Sequence, residues 1–420
     1  MRSGRHIGSG TLLLAVVIAL PFYAGCNLGF YGGGFPAIQP FFFYWSVAVG
    51  DLNGDGKPDI AAGLTHFLND YSQPGFASVS LQDPATPGAF LTPTTYSAGD
   101  TPGGDDPFMI AIGDLNGDGK RDIVTANSTR GGNMASTGIS VFLQDPANPG
   151  HFLSAVNYDT GTQPSAVAIG DLNGDSKPDL AVADVNGISI LLQDPTKPGT
   201  FLSPTSLGVS SGTSSVAIAD LNGDGKPDLV ATNGTSVVVF LQDPNTPATF
   251  SAPTNYGAGL QPIYVAVGDL DGDGNPDLAV ANWGSLNDGT TSSVSVLLQN
   301  HAAPGTFLTA TDYKTDSRSI VVTIADLNGD GKPDLVVANY GNLDYSGSSV
   351  SVLLQNPTLP GQFQAATNYS GPNGVNSVAI GDMNGDGRPD LVIADGGAVT
   401  IRLQDSTHAG EFLAETAITK

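Results

Sequence analysis

Seven times along the chain an aspartate is followed by oxygen-bearing side chains at the third, fifth and ninth positions of a short loop. The first instance is Asp51-Leu52-Asn53-Gly54-Asp55-Gly56-Lys57-Pro58-Asp59. Alternate side chains of a tightly curled loop can converge on one point, and Gly54 and Gly56 permit the positive φ angles that such a curl needs. The main-chain carbonyl of Lys57 adds a further oxygen at the seventh position. Three carboxylates with amide and carbonyl oxygens suit a hard cation of about 6–8 coordination, with Ca2+ first and Mg2+ a poor second.

The equivalent ligand sets are Asp114, Asn116, Asp118, Lys120 and Asp122, then Asp171, Asn173, Asp175, Lys177 and Asp179. The fourth and fifth are Asp220, Asn222, Asp224, Lys226 and Asp228, and Asp269, Asp271, Asp273, Asn275 and Asp277. The last two are Asp326, Asn328, Asp330, Lys332 and Asp334, and Asp382, Asn384, Asp386, Arg388 and Asp390. All seven keep Asp at positions one, five and nine, so about seven Ca2+ sites are expected. Departures are small: Ser176 replaces the second Gly in the third loop, Asp271 adds a carboxylate in the fifth, and Arg121 replaces Pro in the second. Asn275 and Arg388 replace Lys where a main-chain carbonyl suffices. No loop contains His or Cys, which argues against zinc, copper or iron.

Two other loop chemistries are excluded by position. An EF-hand needs a bidentate Glu at position twelve, where these loops have Ala62, Thr125, Val182, Ala231, Val280, Val337 and Ile393. A phosphate-binding P-loop needs Ser or Thr after its Lys, and no loop has one. Net charge points the same way. The formal charge is −25, which argues against binding nucleic acid through its phosphates. Of 40 acidic residues 22 lie in the seven loops, so cations are needed to offset their repulsion.

The elements that must position these loops read from the repeat. Successive loops begin 63, 57, 49, 49, 57 and 56 residues apart, within or near the span of propeller blades. A short apolar run such as Ser46-Val47-Ala48-Val49 precedes each loop, and a second such as Leu335-Val336-Val337-Ala338 follows it. A third ends in Leu-Gln-Asp or Leu-Gln-Asn, as in Val350 to Asn356. After a Pro/Gly turn comes a more polar fourth, Phe307 to Tyr313. Four short strands with turn chemistry between them, seven times over, predict an all-β, seven-bladed propeller with four antiparallel strands per blade. A lone repeat could not bury its faces, so the ring is the folding unit. An open β-solenoid is the structural alternative, although its coils are usually shorter and lack the four-strand rhythm.

These loops and their blade-long spacing resemble the FG-GAP/VCBS repeat family, which includes the propeller heads of integrin α subunits and many bacterial surface proteins. The resemblance covers residues 44–420. It implies calcium in the loop between the first and second strands, mainly structural in role, with the ligand face often opposite. The family's functions are diverse, so the fold does not deliver an activity.

Residues 1–25 read as a signal peptide: Arg2 and Arg5 precede an apolar run, Thr11 to Leu20, too short to span a bilayer comfortably. Cys26, the single cysteine, follows Ala24-Gly25 and resembles a bacterial lipobox, with Tyr23 departing from the usual aliphatic residue. Cleavage before Cys26 and its lipidation would anchor an exported protein to a membrane at the bacterial surface or outer membrane; ordinary secretion with cleavage nearby, leaving the protein extracellular, is the alternative. Residues 26–43 then form a tether, and Gly34 to Ile38 faintly echoes a fourth strand that would close the ring beside Phe412-Leu413-Ala414.

In a four-stranded blade the cation loops share a face with the Asp-Pro-x-x-Pro-Gly turns, such as Asp83 to Gly88. That face repeats nearly unchanged, which suggests scaffold. The loops between second and third strands vary most, and carry His66, Tyr71, Arg130, Asn133, Trp283, Asn287, Tyr340 and Tyr345 as ligand-face candidates. Aromatics beside Asn and Asp suit a glycan or protein ligand. Asp100, Asp105 and Asp106 lie on the same face and could take a further cation or cationic partner.

No Gly-x-Ser-x-Gly or His-Glu-x-x-His motif occurs, and the five histidines are scattered. No catalytic residue is assigned. The leading expectation is a calcium-stabilised, exported binding or adhesion module. A self-assembling surface or filament component and a carbohydrate-active enzyme are the alternatives.

Overall fold

The computed structural model describes residues 41–67, 74–99, 106–128, 138–285, 292–342, 347–371 and 374–418. Among them 28 strands form seven four-stranded sheets, each ordered as in the sequence and antiparallel throughout. The first strand of each sheet lies beside those of the sheets before and after it, and the first blade lies beside the last. This is the predicted seven-bladed propeller.

Burial follows the strand's place in the blade. Second strands such as Asp334–Asn339 are buried at every residue, because a neighbouring blade covers each face. Fourth strands such as Thr311–Lys314 are exposed except at their third residue, as the polar composition predicts for an outer edge. That fourth run is shorter than expected. Phe307 makes an isolated bridge to Gln299, and continuous pairing resumes only at Thr311. Between them Phe307 turns into the core at 8% exposure while Leu308 turns to solvent at 50%, so the run is not a strand throughout.

The first blade also begins earlier than its expected boundary. Phe41–Gly50 is one strand, and Phe41, Phe42 and Phe43 pair with Phe67, His66 and Thr65. These three residues therefore belong to the blade rather than to the tether. The outer strand of the last blade is Thr416–Ala417, so all four of its strands come from the C-terminal part of the chain. Gly34 to Ile38 lies outside the described residues.

Three sets of contacts join the blades. At the end of the first strand a small residue lets the next blade approach: a Cβ on Gly170 would sit 3.0 Å from Ile218 Cγ2, and one on Gly381 would sit 2.7 Å from Val49. The Gly381–Val49 contact closes the ring. On the rim, Tyr96, Tyr158, Tyr256, Tyr313 and Tyr369 meet Phe152, Phe201, Phe307, Phe363 and Phe412 of the following blade edge-to-face, with centroids 5.4–5.7 Å apart. At the other two seams Leu207 and Ile418 pack in the clusters that hold Phe250 and Phe90.

The third set is polar. The Gln after each third strand donates through Nε2 to the carbonyl of the second loop residue in the preceding blade, at 2.6–3.0 Å. All seven seams have this bond, including Gln82 to Met383 where the ends of the ring meet. Asn376 Nδ2 adds a bond of 2.7 Å to the Tyr44 carbonyl at the same seam. Gln242 also reaches the Pro227 carbonyl at 2.7 Å. Gln242→Met keeps the shape but removes the donor from two carbonyls. It should cost about 1–3 kcal/mol, read as a lower denaturant midpoint against the unchanged protein.

Candidate metal centres

Each acidic loop leaves the first strand and ends on an aspartate that opens the second. Its second residue, Leu in six loops and Met383 in the seventh, is fully buried between blades and roots the curl. The Gly pairs adopt the left-handed conformation, with φ of 79° at Gly54 and 82° at Gly56. Ser176 is held at φ 65° in the third loop, a conformation that costs a side-chain-bearing residue roughly 1–2 kcal/mol. The loop geometry persists there: Ser176 N–H donates to Asp171 Oδ2 at 2.7 Å, as Gly56 does to Asp51 at 2.8 Å.

The carboxylates organise the loop from within. Asp51 Oδ1 accepts the N–H groups of Gly54 and Asp55 at 2.7 and 3.2 Å. Asn53 Oδ1 accepts Asp55 N–H at 2.8 Å, and Asp55 Oδ1 accepts Lys57 N–H at 2.9 Å. The other six loops reproduce the bonds from the first, third and fifth positions, for example at Asp114, Asn116 and Asp118. Asp51 Oδ1 is taken by two N–H groups, but Asp51 Oδ2 and Asp55 Oδ1 each accept one and keep a lone pair, so this arrangement does not exhaust the donors a cation needs.

The ninth-position aspartates differ from the rest. Asp59, Asp122, Asp179, Asp228, Asp277, Asp334 and Asp390 are fully buried. Each accepts the second loop residue's N–H on Oδ2 at 2.8–3.0 Å. Each also accepts the N–H of the third-strand Gln on Oδ1 at 2.7–2.8 Å. Loss of water pushes six of these carboxyls up to about 6, with neighbouring loop aspartates adding to the shift and the two N–H bonds opposing it. Asp390 is raised for the same reasons.

The seventh side chain has a use that its variability concealed. Lys57, Lys120 and Lys177 donate to the carbonyls of Pro84, Pro146 and Pro195 at 3.0–3.2 Å, tying the loop to the Asp-Pro turn of its own blade. Lys226 and Lys332 reach Pro244 and Pro357 likewise. Arg388 instead pairs with Asp386 at 3.2 Å. In the fifth loop Asn275 meets His301, whose Nε2 lies 3.4 Å from Asp273. This loop, with its extra acid, brings oxygens of Asp269, Asp271 and Asp273 within 4.8 Å of one another, a spacing that could hold a metal ion. The all-oxygen donor set of this loop fits a hard divalent cation.

On the opposite face the ligand candidates divide. Trp283 and Tyr340 are 8% and 4% exposed and stack on each other at 6.0 Å, with the buried Arg318 guanidinium 5.6 Å from the Trp283 ring. Arg318 also donates to the Gly341 carbonyl at 2.7 Å. Both aromatics fill the step between the fifth and sixth blades, so neither offers a free ring face. His66 sits in a strand, paired with Phe42. Tyr71, Arg130, Asn133, Asn287 and Tyr345 lie outside the described residues, as do Asp100 and Asp105, while Asp106 opens the first strand of the second blade.

One register position escaped the sequence reading. Five residues after the ninth aspartate stands a polar side chain in every blade but the first, where it is Leu64. In blades with short second-to-third loops it caps the turn: Asp184 accepts Asn186 N–H at 2.7 Å, Asn233 accepts Ser236 N–H at 2.8 Å, and Asp395 accepts Gly397 N–H at 2.7 Å. In blades with long loops it ties strands together instead. Asn127, Asn282 and Asn339 donate to Ser140, Ser295 and Ser351 at 2.7–2.8 Å. The fixed offset from the acidic loop was the available signal.

The buried aspartates set a pH dependence for the cation-free chain. A carboxyl held near 6 when folded and near 3.8 when unfolded keeps its proton only in the folded protein between those values. Its stabilising contribution is complete below about 4 and is lost as pH rises through about 6. In chelator, thermal stability should therefore fall from pH 4 to pH 6 and level off above, and saturating calcium should remove or invert that slope.

Comparison with known families agrees with this geometry. The FG-GAP-like repeat matches residues 114–182, 171–231, 220–280, 283–337 and 326–393, and the FG-GAP repeat matches residues 43–66 and 265–297. FG-GAP repeats are typically calcium-binding. No curated protein sequence matches. Among solved structures, a candidate 6-phosphogluconolactonase from Bacteroides uniformis is similar with TM-score 0.54 and 12% identity, over 90% of this chain and 97% of that one. BBS1N in complex with ARL6DN follows at TM-score 0.51 and 14% identity, over 88% and 94%. Rhamnogalacturonan lyase YesW has TM-score 0.49 and 16% identity, over 86% and 72%. At these identities the first two likenesses show a shared fold alone. Matched repeats over well more than half its length and seven acidic loops in seven four-stranded blades make the chain a member of the FG-GAP repeat family.

Proposed function

We propose that this propeller is an exported binding module, held to a membrane through a lipidated Cys26 and stiffened by one Ca2+ in each of its seven loops. The observation that carries the reading is the sevenfold loop itself. Two carboxylates and an amide oxygen are folded around one another between the first and second strands of every blade, beside a buried aspartate whose charge lacks water. A cation offsets both the mutual repulsion and the loss of hydration. Each ion then fastens the first strand to the second, while the ninth aspartate carries that anchorage to the third.

Recognition of a protein or glycan falls to the opposite face, where loop length and composition vary from blade to blade. Both the first strand's start at Phe41 and the outer strand's end at Ala417 emerge on that irregular face, away from the uniform cation loops. A surface with seven near-identical loops suits a scaffold; a surface with irregular loops suits selectivity.

Calcium bound only to the folded ring stabilises it by about 2.7 kcal/mol per site at a hundredfold excess over Kd. Excess chelator at neutral pH should therefore lower the melting temperature markedly, and back-titration should saturate near seven ions per chain. An unchanged melting curve with no ion bound rejects the cation role. In the expressing cell, Cys26→Ser should move the protein from the membrane fraction to the soluble exported fraction; no change in distribution rejects the anchor.

A further inference from the structure

Six of the seven loops place Gly directly after the third-position asparagine: Asn53, Asn116, Asn173, Asn222, Asn328 and Asn384. In such a pair the glycine nitrogen can attack the preceding carboxamide, because no Cβ obstructs the approach. A Cβ built on any of these six glycines would meet nothing within 4 Å, so the glycine side of each pair is open, while the asparagines are half-buried.

The loop supplies two more parts of that reaction. The glycine N–H donates to Oδ1 of the first aspartate at 2.7–2.8 Å, so a base already holds the proton that attack must release. The carboxamide oxygen accepts the fifth residue's N–H at 2.8–2.9 Å, where negative charge develops as its carbon is attacked. Nucleophile, base and oxyanion donor recur with the same geometry in six loops.

We propose that these six asparagines deamidate by self-catalysis whenever their loop lacks a cation. The glycine nitrogen bonds to the asparagine Cγ and its proton passes to the first aspartate. The aspartate returns a proton to the departing amide nitrogen, which leaves as ammonia. A solvent water then opens the resulting succinimide to aspartate or isoaspartate. The fifth loop shows that the aspartate product fits: Asp271 stands at this position and its Oδ1 accepts Asp273 N–H at 3.1 Å. A cation bound by the first aspartate withdraws it as a base, so a loaded loop is protected. Only that protection rests on the calcium reading above.

The chain contains its own comparison. Asn233-Gly234 has the carboxamide oxygen similarly engaged, by Thr235 N–H at 3.1 Å, but the Gly234 N–H donates to the Pro262 carbonyl rather than to a carboxylate. The test is to incubate the full chain in chelator, digest it, and quantify amide-to-acid conversion at each asparagine by mass spectrometry. The loop sites should convert at least about tenfold faster than Asn233, a fraction of what a positioned general base typically contributes. Asp220→Asn should slow Asn222 to the pace of Asn233 and leave the other five loops unchanged, which also reports that the ring is folded. Loop rates no faster than Asn233, or an Asn222 rate indifferent to Asp220→Asn, overturn the proposal. Fast conversion that calcium fails to slow leaves self-deamidation standing and counts against the cation reading.

Discussion

A buried carboxylate in each blade, with both oxygens taken by main-chain N–H groups, is the constraint from which the rest of the ring follows. Asp59 is typical: one oxygen holds Leu52 at the start of the loop, the other holds Gln82 at the end of the third strand. One side chain thereby fixes the relation of three strands. The same Gln then reaches across the seam to the preceding blade, where it bonds the carbonyl of Met383. Since Met383 is itself the residue that Asp390 grips through its N–H, the aspartates are linked blade to blade into a closed polar ring. Such a network is stable only when every member is satisfied, which accounts for Asp at the ninth position of all seven loops.

That polar ring lies at one end of the blades and the apolar contacts lie along and outside it. Between the blades, second and third strands are covered on both faces and supply the core. At the rim, Tyr–Phe pairs repeat at five seams. The join between the last and first blades uses the inner glycine contact and the Gln bond but has Ile418 where other seams have Tyr. Closure is therefore made by packing and by the polar ring, with no outer strand exchanged between the chain's two ends among the described residues.

The two faces answer to different demands. On the loop face the first, third, fifth and ninth side chains have the same partners in every blade, and five lysines tether the turns that follow the third strands. On the other face the same register position is used in two ways, capping tight turns at Asp184, Asn233 and Asp395 and bracing strands at Asn127, Asn282 and Asn339. The capping use goes with the short loops, whose N–H groups the side chain accepts, and the bracing use with the blades whose loops are long. Variable loops can thus be grafted on this scaffold without disturbing the core.

Seven blades, four strands in each, the exposed outer edge and the position of the acidic loops could all be read from the residues, because each depends on local pattern: spacing of Asp, Gly and Pro, and the period of apolar runs. Tertiary structure alone decided which of those side chains were free. Trp283 and Tyr340 look like recognition aromatics in a list of loop residues, yet they are walled between two blades with Arg318. The lysine of the loop looks dispensable, yet it spans about 27 residues to a proline carbonyl. Phe41 to Phe43 look like tether, yet they pair with a strand more than 20 residues away. Short-range chemistry specifies the acidic loop, so sequence suffices for it; burial and cross-blade bonding depend on residues brought together only when the ring closes.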